Sequence, residues 1–223
     1  MLTFTYHGLA CVELEVAVRL LLNPGTSPHE ELELLATLNP DYVLVSNTAD
    51  EFMGYVSQFP PNPNRVILGN EQVAASLQGQ GVDAMQLRVI KHAESFDAGH
   101  DVVVTAYEQS YETDQLIINT IYCVTSKQAN VMHLGRAQDL RGLGDCSPHL
   151  LCIPIGESKS GVFTPQQAAK TTALIEPNYV LPLLGDVGQS TQFDIAVAAQ
   201  KKKITRLFPA EGEAYSVPIY EKK

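Results

Sequence analysis

Short apolar runs alternate along this chain with polar turns and with stretches of helical periodicity. Runs rich in Val, Ile, Leu, Thr and Tyr predict strands at Thr3–Tyr6, Ala10–Glu15, Arg19–Leu22, Tyr42–Val45, Arg65–Leu68 and Met85–Val89. Further strands are predicted at Asp101–Tyr107, Gln115–Cys123, Asn130–Leu134, Leu150–Ile155, Tyr179–Pro182 and Arg206–Phe208. Many of these runs are apolar throughout, which suits strands covered on both faces.

Helix starts are marked by capping chemistry. Ser27-Pro28-His29-Glu30 reads as a capping box with proline at the first helical position, followed by Leu32, Leu35 and Leu38 on one face. Thr164-Pro165-Gln166-Gln167 repeats the device ahead of Ala168, Ala169, Thr172 and Ile175. Glu71–Leu77 and Gln192–Ala199 are two more helical stretches, and Pro40 and Pro177 stop helices just before the next strand. Gly185-Asp186-Val187-Gly188 reads as a turn. Strands and hairpins come first, then β-α-β units, then hairpins again, then a closing β-α-β-α-β. That order predicts sheets with helices outside, in one domain over residues 1–223. The stretches Phe59–Asn64 and Arg136–Pro148 read as surface loops.

Composition narrows the class. The chain is 45% apolar and 18% charged, which places it among globular proteins, and no apolar run is long enough to span a bilayer. Residues 1–24 lack a basic start and a long apolar stretch, so the opening reads as a strand rather than a leader. A net charge of −10 argues against nucleic acid and anionic membranes as partners. Lys201-Lys202-Lys203 suits a helix C-terminus. Cys11, Cys123 and Cys152 sit in apolar runs and read as core thiols. Cys146 forms a Cys-x-x-His spacing with His149, but without a second pair it is a weak metal signal. A reduced, cytoplasmic protein is the expectation.

The segment Pro40–Phe52 carries the most information. A short apolar strand, Tyr42–Val45, runs into the polar turn Ser46-Asn47-Thr48-Ala49-Asp50-Glu51-Phe52. Other landmarks follow in order: Tyr6-His7-Gly8-Leu9-Ala10-Cys11, Arg19–Pro24, Thr105–Ser110, His133-Leu134-Gly135-Arg136, Leu151–Gly156, Ile175–Leu184 and Phe208–Glu213. Together they resemble the UlaG-like, UPF0173-like branch of the metallo-β-lactamase superfamily. The resemblance spans nearly the whole chain and implies a four-layer αββα sandwich: two mixed sheets face to face, helices outside, and a site at one edge.

In that family a strand ends in Thr-His-x-His-x-Asp-His, and histidines and carboxylates hold one or two metal ions that turn water into hydroxide. The resemblance carries those ligand positions onto Asn47, Ala49, Glu51 and Phe52, then Glu108, Arg136 and Leu184. A slip of one residue brings in Asp50 for Glu51 and restores no histidine. Alanine, phenylalanine and leucine coordinate nothing, and Arg136 puts a permanent cation where the resemblance implies a bridging carboxylate. Near ~4 Å and an effective dielectric of ~20, each unit charge of a dication would cost about 4 kcal/mol against it. The expectation is an ion-pair cluster in which Arg136 neutralises both Glu51 and Glu108. Phe52 and Leu184 suggest that the cleft is closed.

His133 keeps a histidine that the resemblance places beside the site, and a hydrogen-bonded core residue is expected there. His7 reads as a partly buried edge residue, and His29, His92 and His100 as solvent-exposed. No phosphate loop and no Gly-x-Ser-x-Gly elbow is present. Lys159, in Ser158-Lys159-Ser160-Gly161, is a faint anion-binding candidate beside the pocket mouth. The resulting expectation is a metal-free, catalytically inactive protein of this fold, with no cofactor, acting as a binding, scaffold or regulatory module. It would self-associate or bind a protein partner. The alternative is a divergent metal-dependent hydrolase. In it Asp50, Glu51, Glu108 and Asp186, with His133, would hold one divalent cation, Mg²⁺ or Mn²⁺, mainly through oxygen.

Overall fold

The structure is a computed structural model that describes residues 1–25, 38–112, 116–137, 139–144, 146–157 and 162–219. In chain order it runs β1 (Leu2–Tyr6), β2 (Val12–Glu15), β3 (Arg19–Leu22), β4 (Tyr42–Val45), α1 (Asp50–Met53), β5 (Val66–Gly69), α2 (Glu71–Gly79) and β6 (Leu87–Val89). It continues β7 (Ser95–Gly99), β8 (Val102–Glu112), β9 (Leu116–Thr125), β10 (Asn130–His133), β11 (Leu150–Pro154), α3 (Pro165–Ile175), β12 (Tyr179–Leu183), α4 (Val187–Ala199), β13 (Thr205–Arg206) and β14 (Ala214–Val217).

The strands form two mixed seven-stranded sheets, ordered β14-β1-β2-β3-β4-β5-β6 and β13-β12-β11-β10-β9-β8-β7. Leu2, Phe4, Leu14, Leu20, Leu22 and Leu44 of the first sheet meet Val104, Tyr122, Val131, Cys152 and Leu181 of the second in one core cluster. Alternate residues face outward under helices. Val43, Val45 and Ile67 pack against Met53 of α1 and Val73 and Leu77 of α2. Cys123, Leu151, Ile153 and Val180 pack against Ala168, Ala169, Phe193 and Val197 of α3 and α4. Four layers result because central strands such as β4 and β11 carry apolar side chains on both faces and neither face can be left in water. No helix among the described residues is long and apolar enough to cross a membrane.

Local chemistry sets the boundaries. Thr164 caps α3 in a full capping box with Gln167, as its sequence predicts. Asp186 and Gln189 form a second box that starts α4 five residues earlier than its apolar pattern suggests. The segment read as a turn is therefore mostly the first turn of a helix. Strands β7 and β14 went unpredicted, since Ser-Phe-Asp-Ala-Gly and Ala-Tyr-Ser-Val are too short and mixed to show a period. Pairing with β8 and β1 holds them in place. The capping box at Ser27, with Leu32 and Leu35, lies outside the described residues.

Two histidine expectations are corrected or met here. His7 is not at an edge: β1 lies between β14 and β2, and the ring is buried with Nε2 3.1 Å from Glu13. Burial would raise the Glu13 carboxyl. Hydrogen bonds from His7 and from Arg19, 2.5 Å away, outweigh that and hold it below its ordinary range. His92 and His100 are exposed, as expected, and His29 lies outside the described residues. Cys11, Cys123 and Cys152 are buried and Cys146 half-buried. A hydrogen bond to the Cys146 thiol, followed by burial, pushes the Cys123 thiol up.

Asn70 ties the two sheets together. Its Oδ1 caps α2 by accepting from Val73 N–H at 3.0 Å. Its Nδ2 donates to the carbonyls of Ser46 and Ile118 and approaches Thr120 Oγ1 at 3.1 Å. Replacing it should remove both functions. Asn70→Ala is expected to cost about 2–4 kcal/mol in urea unfolding, whereas Asn70→Ser, which keeps the cap, should lose only the inter-sheet share of this.

Candidate functional site

The strand-turn singled out by the sequence lies where the ends of β3, β4, β9 and β10 meet. Asn23 follows β3 with φ +50°, and its Oδ1 accepts from Ser46 N–H at 2.7 Å. The Asn47 side chain accepts from Ala49 N–H at 3.0 Å and donates to Asn119 Oδ1 at 3.3 Å. These bonds curl the chain after β4 so that α1 starts at Asp50. Gly25 packs against the backbone of Glu51 so closely that a Cβ there would collide with it. Phe52 points into the interior and is fully buried, while Asp50 is exposed on the first turn.

His133 ends β10 and is also fully buried. Its Nδ1 accepts from Gly135 N–H at 3.0 Å, so the proton sits on Nε2, which donates to Ala10 O at 2.9 Å. The Asn23 amide nitrogen is 3.3 and 3.4 Å from the two ring nitrogens, which places it across the ring face rather than along either lone pair. Burial lowers the imidazole pKa to about 4, although the Ala10 hydrogen bond opposes that. This is the hydrogen-bonded core histidine expected from sequence, and neither nitrogen is left to bind a metal.

Gly135 has φ +57°, and a Cβ there would lie 2.5 Å from Asn119 Oδ1 and 2.7 Å from Ser46. Glycine therefore allows the turn that brings Arg136 N–H within 2.7 Å of Asn119 Oδ1. From this turn the guanidinium reaches Glu51 Oε1 at 3.1 Å, with about a quarter of its side chain exposed and a third of the glutamate's. The expected Arg136–Glu51 pair is present. The expected Arg136–Glu108 pair is not: no ion pair joins these two among the described residues. The reason is the sheet order. Glu108 lies on β8 opposite Thr120, on the same face as Thr120 and Tyr122, and β9 separates it from the turn after β10. Its backbone N–H donates to His92 Nδ1 at 3.2 Å.

Arg136 and Glu51 form part of the wall of an open depression of about 420 Å³, with Leu9, Ile155, Leu184 and Gln189 among its other lining groups. The closure suggested by Phe52 and Leu184 does not occur. Phe52 turns inward, and Leu184, at φ +67° with its N–H on Leu9 O, lies along the wall. Asp186 does not face this depression as a free carboxylate: its Oδ1 accepts from Gln189 N–H at 2.7 Å as the cap of α4. Lys159 lies outside the described residues.

Among the described residues, the positions carried over from the family do not gather a metal's donor set, although Glu157 joins Glu51 in lining the depression. Asn47 and His133 have spent their donor atoms inside the protein, Glu51 faces Arg136, and Asp186 caps a helix. Ala49, Phe52 and Leu184 offer only hydrocarbon. No group of three or more His, Cys, Asp or Glu side chains is placed to hold an ion among the described residues. The sequence reading missed Asn23, Asn70, Asn119 and Tyr122, whose buried polar atoms fix this region. Their one signal was position: Asn23 and Asn70 stand directly after strands.

A family model described as Beta-lactamase superfamily domain matches residues 3–184. The chain belongs to the metallo-β-lactamase superfamily. It is 26% identical over 192 residues to a UPF0173 metal-dependent hydrolase of Methanopyrus kandleri, covering 80% of this chain and 82% of that one. It is also 26% identical over 207 residues to a protein of the same name from Methylacidiphilum infernorum, covering 88% and 90%. Among solved structures, the novel metallo hydrolase Igni18 of Ignicoccus hospitalis superimposes with a TM-score of 0.77 at 16% identity, covering 97% and 99%. The metallo-β-lactamase fold protein YhfI of Bacillus subtilis gives 0.71 at 11%, covering 97% and 100%. These two likenesses establish the fold, and the αββα expectation holds.

Two outcomes test this superfamily member's site. Gly135→Ala should cost about 2–4 kcal/mol in urea unfolding, because it combines a left-handed backbone with overpacking. His133 stays neutral in the fold down to about pH 4, whereas the unfolded chain takes up its proton near pH 6.5. Stability should therefore be full above pH 6.5 and fall as pH drops to 4, by up to about 3 kcal/mol from this residue. Urea titrations of His133→Asn against the parent chain should show this slope reduced.

Proposed function

We propose that this protein works without a metal ion, as a binding, scaffold or regulatory module that uses the depression around Arg136. The observation that carries this reading is the Arg136–Glu51 ion pair, 3.1 Å long, at the edge of the sandwich where the resemblance implies metals. A guanidinium is always charged, and two dications beside it would be repelled. The pair supplies internally the charge balance that metal and carboxylate would otherwise provide. A wall that sets Leu9, Ile155 and Leu184 beside Glu51, Arg136 and Glu157 suits recognition of a small molecule or a protein segment. Association with a second copy or another protein, and a cytoplasmic setting, belong to the same proposal.

A second reading rests on a different observation. Both UPF0173 relatives carry the name metal-dependent hydrolase, and those names favour a hydrolase more directly than an inactive module. In that case Glu51, Asp50, Glu108 and Asp186 would have to converge on one hard cation such as Mg²⁺ or Mn²⁺. Glu51 would first leave Arg136, and Asp186 would uncap α4. Glu51 and Glu157 are the carboxylates that line the depression, and no reaction step is assigned.

Elemental analysis of the purified protein separates the readings. Less than about a tenth of an equivalent of zinc, iron, manganese or magnesium after desalting supports the first, since a built site retains its ion. A full equivalent, with phosphodiester or lactone hydrolysis lost on Glu51→Ala or Glu108→Ala, would establish the second.

A further inference from the structure

A larger groove lies on the other side of the β12–α4 turn. It holds about 440 Å³ between α4, the end of β12 and the segment after β13. That volume falls within the range of small-molecule sites. Its floor includes Leu181 and Leu207, and Tyr6 and Phe208 bring two aromatic rings to it. Phe208 is 52% exposed and Val187, on the facing helix, 85%. The lining contains two carboxylates, Asp194 and Glu211, and no lysine or arginine. Asp194 is ion-paired with Arg206, whereas Glu211 has no cationic partner among the described residues.

We infer that this groove is a binding site for a small organic cation, an ammonium ion carried on an apolar or aromatic body. Each half of such a ligand meets its complement. The body covers Leu207 and the exposed rim formed by Phe208 and Val187, where apolar surface otherwise stays in water. The ammonium sits near Glu211 and the rings of Phe208 and Tyr6, since aromatic rings attract cations through their quadrupoles. The net charge of −10 raises the local concentration of cations at the mouth. The same charge opposes a second copy docking its own acidic surface here. The site is separate from the Arg136 depression and does not depend on how that depression is used.

Calorimetric titration of the full chain with phenethylammonium, against phenylpropionate as a probe of similar size and opposite charge, tests the inference. Saturable binding of the cation alone is expected, weakening as salt is raised. Glu211→Gln and Phe208→Ala, both at exposed positions, should each weaken it at least about threefold. Glu213→Gln, outside the groove, should leave it unchanged, and thermal midpoints of all three variants should match the parent to show that they fold. Absence of binding, equal binding of the anion, or equal weakening by Glu213→Gln would overturn the proposal. So would a dimer that Phe208→Ala dissociates, because the groove would then be an interface.

Discussion

The two sheets of this protein are joined at one end by buried polar atoms, and the rest of the site depends on that seam. Asn23, Ser46, Asn70, Asn119, Thr120 and His133 are all fully buried. Thr120 N–H donates to Ser46 O across the sheets at 2.8 Å, and the Tyr122 hydroxyl reaches Val45 O and Leu68 O at 2.9 and 3.2 Å. Strand ends leave backbone groups without ladder partners, and burying such groups is costly unless each finds a hydrogen bond. Short amides do this well: each carries donors and acceptors that can serve two strands at once. The apolar core alone would allow the sheets to slide. A seam of directional bonds fixes their register.

That register determines what stands at the surface. Asn119 holds the backbone of the turn after β10, and the turn aims Arg136 at Glu51, which is itself seated by Gly25 and the Asn47 curl. The pair is thus the outermost layer of a stack whose inner layers are neutral. His133, buried at the start of the same turn, is uncharged at neutral pH, so it adds no positive charge to that of Arg136.

Much of this architecture was legible in the sequence because strands covered on both faces and capped helices leave strong local marks. The Thr164 box and the Tyr42–Val45 strand were read to within a residue or so. The start of α4 was not, because Gly188 and the exposed Val187 hide its period and only the Asp186–Gln189 box shows it. The ordered landmarks found the Arg136–Glu51 pair, since each residue lies in the turn or first helical turn that comes after a recognisable strand. They misjudged Glu108, because a position along β8 says nothing about which side of β9 its side chain occupies. The amides of the seam were silent for a similar reason: an asparagine after a strand reads as a turn residue until the opposite sheet is in place.

The Arg136–Glu51 pair also joins the two halves of the sandwich, since Glu51 follows a strand of one sheet and Arg136 a strand of the other. It is a clasp across the seam's open edge. A bridging ion in that position would respond to chelators and to acid. A partly exposed ion pair is worth about 1 kcal/mol or less, and at physiological ionic strength charges are screened over about 8 Å. The clasp spans 3.1 Å, well inside that screening length, so its strength depends on ionic strength only modestly. Dissolved salt would weaken the clasp a little, without any change of ligand or protonation.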